Sequence, residues 1–245
     1  MTEPRHDGSR GRFCQEEAVK HIAEHKRLHE SLFTPLERPA LKWLAANLPP
    51  WVSPDVCTVI GVCGAVVILA GYALSRFDAN FLWLASFGFV INWFGDSLDG
   101  TIARHRHIER PIFGFFIDHT TDALNELMIF LGLGLTPHVS FPVACLALIG
   151  YLLLSVLVYV RTCVMGEFKI SSNKMGPTEF RVIAMLLNTG MYVGGVRTLS
   201  LTLGAFGSFS FSVYDPFVAA FALLLLYLFF FNAIPDAIRL AKEGK

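Results

Sequence analysis

Long apolar segments alternate with short charged ones along this chain, and this alternation constrains the fold more than any other feature. Residues 52–95 contain only three charged side chains, Asp55, Arg76 and Asp78. Overall, 53% of the residues are hydrophobic and 16% are charged, whereas soluble domains have about 25% charged residues. Apolar segments of about 20 residues are long enough to cross a bilayer. We therefore expect an all-α polytopic membrane protein rather than a large soluble helical domain.

The apolar segments predict six transmembrane helices, at about 52–74, 81–103, 112–134, 140–164, 178–196 and 214–238. The stretch LTLGAFGSFSFSV, which follows the fifth segment, is either the continuation of a tilted helix or an interfacial loop. Lys and Arg residues are concentrated in the segments that lie on the same side as the N-terminus. The positive-inside rule therefore predicts that both termini are cytoplasmic.

Three regions are expected: a cytoplasmic extension (1–50), a six-helix transmembrane domain (51–240) and a cytoplasmic tail (241–245). Part of the extension is typical of an amphipathic helix lying on the membrane surface, and an unattached soluble helix is the alternative. Trp43 and Trp51 stand where interfacial aromatic residues are expected. The apolar stripe of this helix consists of Leu36, Ala40, Leu41, Leu44 and Leu48.

Charge and cysteine content exclude several classes of protein. Lys+Arg and Asp+Glu are both 20, so the formal net charge is zero, and we expect no nucleic-acid partner. The five cysteines are odd in number and lack metal-ligand spacing, which argues against a disulfide framework or a zinc site. Residues 1–12 are polar, and we expect no cleavable secretion signal there.

Four aspartates interrupt the apolar segments in two pairs. Asp96 and Asp99 lie near the end of the second predicted helix, and Asp118 and Asp122 lie near the start of the third. The spacing within each pair places both carboxylates on one helix face. Acidic residues inside a membrane are costly and mark functional sites. Because the two helices are joined by a short connection, we expect all four carboxylates to meet at one depth.

Divalent cations would relieve the repulsion among these carboxylates, since Mg²⁺ is usually held by a few carboxylates together with substrate phosphates. A two-metal site could clamp the attacking and leaving oxygens of a phosphoryl displacement. The neighbouring residues suit a phosphate ligand. Gly100, Ala103 and Gly114 leave space beside the backbone, and Arg104 and Arg110 supply cations.

From Asp96 to Asp122 the residues follow the pattern D-x2-D-G-x2-A-R-x9-G-x3-D-x3-D. This pattern resembles the signature of the CDP-alcohol phosphotransferases, with every specified residue present. The resemblance covers about residues 36–240, since six spans and a juxtamembrane helix are similar to the family architecture. Thr58 matches the last position of the family element P-N-x2-T, in which Asp55 replaces the Asn.

The resemblance implies that a CDP-alcohol gives its phospho-alcohol group to an acceptor hydroxyl with release of CMP. The four aspartates would hold two divalent cations, Mg²⁺ or Mn²⁺, and Asp122 would also accept the proton of the hydroxyl. The CDP portion would be surrounded by Thr58, Asp96, Asp99, Gly100, Ala103, Arg104 and Gly114. The candidates for an acceptor or phosphate pocket are Arg110, Arg161, Glu179 and Arg181.

The substrates stay open between two classes. In the first, which we favour, CDP-diacylglycerol or another lipid-CDP is the donor, and the acceptor is a polar alcohol such as inositol phosphate, glycerol phosphate or serine. In the second, CDP-choline or CDP-ethanolamine is the donor and diacylglycerol the acceptor. We expect a membrane-lipid partner, and the sequence is compatible with a homodimer.

Two other functions are disfavoured. An ion-coupled transporter would place its acids near the midplane between broken helices, whereas these four are predicted at one cytoplasmic depth. A di-iron oxidase would need histidine ligands on the facing helices.

Overall fold

The computed structural model describes residues 33–165, 176–202 and 208–243. The expected surface extension before residue 33 and the last two residues of the tail lie outside these ranges. The described parts form seven helices and a two-stranded hairpin. In chain order the elements are α1 (Thr34–Asn47), α2 (Pro54–Leu74), α3 (Phe81–His105), α4 (Pro111–Leu135), α5 (Phe141–Met165), α6 (Pro177–Gly194), β1 (Thr198–Thr202), β2 (Ser208–Ser212) and α7 (Asp215–Glu243).

Each of the six predicted apolar segments is helical, and local sequence explains where several of these helices begin. Pro54, Pro111 and Pro177 open α2, α4 and α6, a position where proline costs no hydrogen bond because the first amides of a helix have no intrahelical acceptor. The hydroxyl of Ser53 accepts a hydrogen bond from the Val56 amide at 3.3 Å and caps α2.

Four of the helices are long and apolar enough to cross a membrane, namely α2, α3, α5 and α7. The other two predicted spans, α4 and α6, fall outside this group. Asp118, Asp122 and Glu126 make α4 more polar, and α6 is short and contains Glu179 and Arg181. The charged residues that lower the hydropathy of α4 and α6 are also the residues of greatest chemical interest.

The stretch after α6 was predicted to be the continuation of a tilted helix or an interfacial loop. The tilted helix is wrong, because the described residues there form a hairpin, and the position of this hairpin relative to the membrane interface stays a prediction. β1 and β2 pair antiparallel there, with Thr198 opposite Ser212 and Thr202 opposite Ser208. The sequence signal is the strict alternation of polar and apolar residues in TLSLT and SFSFS, which has the period of a strand rather than of a helix.

Among the described residues α2 and α3 make the most extensive helix contact, and glycines allow it. A Cβ atom added to Gly64 would lie 2.4 Å from the backbone nitrogen of Asn92, and one added to Gly95 would lie 2.2 Å from the backbone nitrogen of Gly61. Small residues allow membrane helices to approach with backbone nearly touching backbone. α2 also packs against α4, whereas α3 and α4 make less direct backbone contact with each other. α2 is therefore the shared support of both aspartate-bearing helices.

The first helix, α1, packs on α3 at one end of the bundle. Leu41 and Ala45 are buried together with Leu98 and Ile102 of α3. The predicted membrane-facing stripe is therefore divided, because Leu41 faces the protein while Leu36 is 75% exposed. The surface position of this helix in a membrane stays a prediction.

Arg106, just after α3, fixes the turn that joins α1 to α2. Its guanidinium donates hydrogen bonds to the carbonyl oxygens of Leu48, Pro49, Pro50 and Val52, at distances of 2.6 to 3.3 Å. Five N–H donors in a planar fork allow one arginine to satisfy several carbonyls that a turn leaves unpaired. The end of α3, which carries the first aspartate pair, is thereby tied to the start of α2.

A glycine substitution tests the α2–α3 contact. We expect Gly64→Ala to lower the thermal unfolding midpoint of the detergent-solubilised protein, because the new methyl group meets the Asn92 backbone and forced overpacking costs about 1–3 kcal/mol. Gly190→Ala in α6 is the matched control, since a Cβ there meets no atom within 4 Å, and it should leave the midpoint unchanged or slightly raised. Equal midpoints for the two variants would contradict the proposed helix contact.

Candidate active site

Carboxylates from α3 and α4 converge in the gap between these two helices. Asp96 on α3 and Asp118 and Asp122 on α4 each place a carboxylate oxygen within 4.8 Å of the others. We call these three residues the aspartate triad. Hard divalent cations prefer oxygen ligands of this kind, so the triad could hold a metal ion.

Asp99, the fourth predicted metal ligand, stands beside the triad and is anchored to α2. Its carboxylate accepts hydrogen bonds from the Thr58 hydroxyl at 2.9 Å and from the Gly100 amide at 2.5 Å. The structure thus joins two residues that sequence reasoning assigned to the CDP side of the site, Thr58 and Asp99. The triad and Asp99 remain close enough to interact electrostatically.

Arg181 of α6 contacts the triad through Asp96. Its Nη2 lies 2.7 Å from Asp96 Oδ2, and its Nε donates to Asn92 Oδ1 at 2.9 Å. The Asn92 amide in turn donates to the Gly61 carbonyl at 2.9 Å. One guanidinium beside several carboxylates leaves the cluster with a net negative formal charge, and its donor atoms are oxygens, which hard divalent cations prefer. The residues present therefore fit a divalent metal.

The residues predicted to surround CDP differ in how much space they leave. The Arg104 side chain occupies the space next to Gly100, since a Cβ atom added to Gly100 would lie 3.0 Å from Arg104 Nη1. At Gly114 an added Cβ would meet no atom within 4 Å. Ala103 is half-buried and Arg104 is exposed. This end of the site therefore offers an exposed surface beside Gly114 and an exposed cation, Arg104, whose guanidinium donates a hydrogen bond to Thr101 at 3.3 Å.

All four residues predicted for an acceptor or phosphate pocket have structural partners. Arg110 pairs with Asp55 and lies 4.3 Å from the Phe113 ring centroid. Arg161 of α5 pairs with Asp236 of α7 at 2.6 Å.

Glu179 is the third. Its carboxylate accepts hydrogen bonds from the amides of Gly176, at the start of α6, and Phe33, at the start of α1. This carboxylate therefore ties the beginning of α6 to the beginning of α1. Of the four predicted residues, Arg181 is the one that the structure brings directly to the aspartates.

A small cavity of about 40 Å³ adjoins the triad at Asp122. Asn92, Asn125 and Tyr151 were not predicted from the sequence. The two asparagines could have been found, because each is a polar residue in an apolar helix, three or four positions from an aspartate. The cavity lies among α3, α4, α5 and α6 and is lined by Asn92, Asp122, Asn125, Glu126, Ile129, Tyr151, Pro177, Phe180 and Arg181.

Comparison with known proteins gives one family and several relatives. A family model described as CDP-alcohol phosphatidyltransferase matches residues 51–231. A phosphatidylinositol phosphate synthase of Cutibacterium acnes is 40% identical over 92 residues, which are 37% of this chain and 41% of that protein.

Two further relatives carry other names. Cholinephosphotransferase 1 of Gallus gallus is 28% identical over 123 residues, which are 46% of this chain and 36% of that protein. An archaetidylinositol phosphate synthase of Methanothermobacter thermautotrophicus is 35% identical over 108 residues, 44% of this chain and 50% of that protein. The chain thus spans between 36% and 50% of the length of these relatives.

Metal binding at the triad can be measured without any substrate. We expect purified protein in detergent to bind Mn²⁺ and Asp118→Asn to weaken binding by at least roughly 10-fold to 100-fold, the loss typical even of residues that only support the ligands of a metal site. Titration followed by electron paramagnetic resonance of free Mn²⁺ gives the affinity. Asp78→Asn is the control, because Asp78 is an exposed carboxylate in the α2–α3 turn. Equal Mn²⁺ affinity in Asp118→Asn and in the unaltered protein would contradict a metal site at the triad.

Proposed function

Because the chain belongs to the CDP-alcohol phosphatidyltransferase family, we propose that it transfers a phosphatidyl group from CDP-diacylglycerol to the hydroxyl of a polar alcohol and releases CMP. The observation that carries this proposal is the aspartate triad, built from two helices and completed by Asp99. The names of two relatives, a phosphatidylinositol phosphate synthase and an archaetidylinositol phosphate synthase, support a polar alcohol as acceptor.

The three triad carboxylates and Asp99 would hold the divalent cations, Mg²⁺ or Mn²⁺. When bound, these cations neutralise the diphosphate and stabilise CMP as the leaving group. Arg104 would contact a phosphate of the donor, and the open space at Gly114 would admit the cytidine nucleotide. The ion pair with Arg181 would hold the Asp96 carboxylate in one orientation while substrates bind and products leave.

Asp122 is the triad member best placed to accept the proton of the acceptor hydroxyl. Asp96 is engaged by Arg181, whereas Asp122 both belongs to the triad and lines the cavity. In the proposed step, the hydroxyl oxygen forms a bond to the phosphorus that carries the diacylglycerol. The anhydride bond to CMP breaks, the electron pair leaves with CMP, and the hydroxyl proton passes to the Asp122 carboxylate.

We place α4 and α6 in the membrane with the four apolar helices, which gives six spans. An aromatic cluster supports this, since Phe130 of α4 lies 5.8 Å from Phe180 of α6 and 6.5 Å from Phe221 of α7, between ring centroids. The concentration of Lys and Arg near the N-terminal side supports cytoplasmic termini and a cytoplasmic opening of the site.

The role of Asp122 is tested by Asp122→Asn, which keeps the shape of the side chain but removes its basicity and its charge. We expect CMP release to fall by at least about 100-fold, the smallest contribution usual for a general base, with an unchanged elution profile in size exclusion. Thr120→Ala, on the exposed side of the same helix, should keep its activity. Full CMP release by Asp122→Asn would remove Asp122 from the proton-accepting role.

The runner-up function is transfer of phosphocholine or phosphoethanolamine from the soluble CDP-alcohol to diacylglycerol. The match to cholinephosphotransferase 1 of Gallus gallus favours it. Membranes that contain the protein should convert labelled CDP-diacylglycerol with inositol phosphate, glycerol phosphate or serine, and leave labelled CDP-ethanolamine unused, relative to membranes with Asp122→Asn. Labelled lipid formed from CDP-ethanolamine alone would contradict the proposal and establish the runner-up.

A further inference from the structure

A buried hydrogen-bonded contact joins three helices at a distance from the aspartates. The Tyr72 hydroxyl of α2 donates to Asn188 Oδ1 of α6 at 2.8 Å, and Asn188 Nδ2 donates to the Ser86 hydroxyl of α3 at 3.0 Å. We call these three residues the Asn188 triplet. Tyr72 and Asn188 are each 1% exposed. Polar side chains that bond across helices hold membrane helices together, so the triplet attaches α6 to the α2–α3 pair.

The α2–α3 contact brings Tyr72 and Ser86 to the same place. A Cβ atom added to Gly71, next to Tyr72, would lie 2.5 Å from the backbone nitrogen of Ala85, next to Ser86. The Tyr72 ring also packs edge-on against Phe89 of α3, with 6.4 Å between the ring centroids. The Asn188 triplet is therefore built on the same helix contact that supports the aspartate pairs.

Asn188 lies on the face of α6 that carries Arg181. Arg181 contacts Asn92 and Asp96 of α3. Asn188, two turns further along α6, contacts Ser86, which lies nearer the start of α3. The two helices therefore run antiparallel and meet along one face of α6, since a spacing of three or four residues defines a helix face. The buried residues with this spacing are Arg181, Ala184, Asn188 and Met191.

The part of α6 between these two contacts is a continuous helix. Residues 182–187 contain neither glycine nor proline, the residues at which helices usually bend. Seven residues separate Arg181 from Asn188, which is about 10 Å at 1.5 Å per residue. A fixed Asn188 therefore fixes the position and the rotation of the Arg181 backbone relative to α3. From that position the guanidinium reaches Asn92 Oδ1 at 2.9 Å and Asp96 Oδ2 at 2.7 Å.

We propose that Asn188 is a positioning residue, which sets the register of α6 against α3 and thereby holds the Arg181 guanidinium on the Asp96 carboxylate. The aspartate triad then depends on a contact at Ser86, about 15 Å away along α3. Without the Asn188 hydrogen bonds, α6 can shift, and Asp96 loses the partner that orients it for a divalent cation. The inference rests on the metal role of the triad in the proposed function, and the identity of the substrates does not enter it.

Mn²⁺ affinity of the purified protein in detergent, measured by electron paramagnetic resonance of free Mn²⁺, tests the inference without substrate. Asn188→Ala should weaken Mn²⁺ binding by about threefold to 10-fold, within the range for residues coupled to a site that they do not touch. Tyr72→Phe removes one hydrogen bond to Asn188 and keeps the ring, so it should weaken binding by a smaller factor. Thr189→Ala is the matched control, because the Thr189 hydroxyl donates to the Met185 carbonyl within α6, and it should leave Mn²⁺ affinity unchanged.

A double-mutant cycle with Arg181→Gln separates positioning from general stability. If Asn188 acts through Arg181, Asn188→Ala should change Mn²⁺ affinity by less than about twofold once Arg181 has been replaced, because the side chain that it positions is gone. A residue that only stabilises the fold would weaken Mn²⁺ binding by the same factor in both backgrounds. Tyr72→Phe in the same two backgrounds supplies a second cycle if Asn188→Ala does not fold.

The outcomes separate the positioning role from the proposed function. A loss of Mn²⁺ affinity confined to proteins that retain Arg181 supports the positioning role. Equal losses with and without Arg181→Gln, or no loss in either variant of the Asn188 triplet, overturn it and leave the proposed function intact. The expected Mn²⁺ pattern without CMP release from CDP-diacylglycerol overturns the proposed function alone. No Mn²⁺ binding by the unaltered protein overturns both.

Discussion

The contact between α2 and α3, at which backbone touches backbone, determines the geometry of the site. Glycines at positions 61, 64 and 95 remove the side chains that would hold these helices apart. Because the two helices lie this close, the Thr58 hydroxyl donates a hydrogen bond to the Asp99 carboxylate, and the side-chain amide of Asn92 donates one to the Gly61 carbonyl. Because α2 also supports α4, one helix sets the positions of both aspartate pairs. A change in this contact would alter the geometry of the aspartate triad without touching an aspartate.

The charges of the site are balanced in two ways. Arg181 compensates part of the negative charge through a partly buried ion pair with Asp96, and in the proposed function divalent cations would compensate the remainder. Buried ion pairs contribute little net stability once desolvation is counted. We therefore interpret Arg181 as a residue that orients the Asp96 carboxylate. Asn92 then orients Arg181.

The sequence predicted the helices well because their signals are local. Long apolar segments, proline at the first helical position and an i, i+3 or i, i+4 spacing of aspartates can all be read along the chain. The hairpin was missed, although the alternation in TLSLT and SFSFS is also local, because its length and apolar content resembled the end of a span. The near approach of Asp96, Asp118 and Asp122 agrees with the expectation that the two aspartate pairs meet.

Pairings between distant residues could not be predicted from one sequence. Arg161 and Glu179 stay candidates for substrate contacts, and the structure adds that Arg161 pairs with Asp236 and that Glu179 caps α6. Nothing in the sequence links Arg181 to Asn92 across 89 positions. Such contacts follow from how α3 and α6 pack, which depends on the whole bundle.

The central claim, that the aspartates act through divalent cations on a CDP-alcohol, is tested most directly by metal removal. Purified protein is treated with EDTA, and CMP release from CDP-diacylglycerol with a polyol phosphate acceptor is followed as Mg²⁺ is returned. The account predicts that EDTA abolishes CMP release and that Mg²⁺ restores it. CMP release that is unaffected by EDTA would contradict the account.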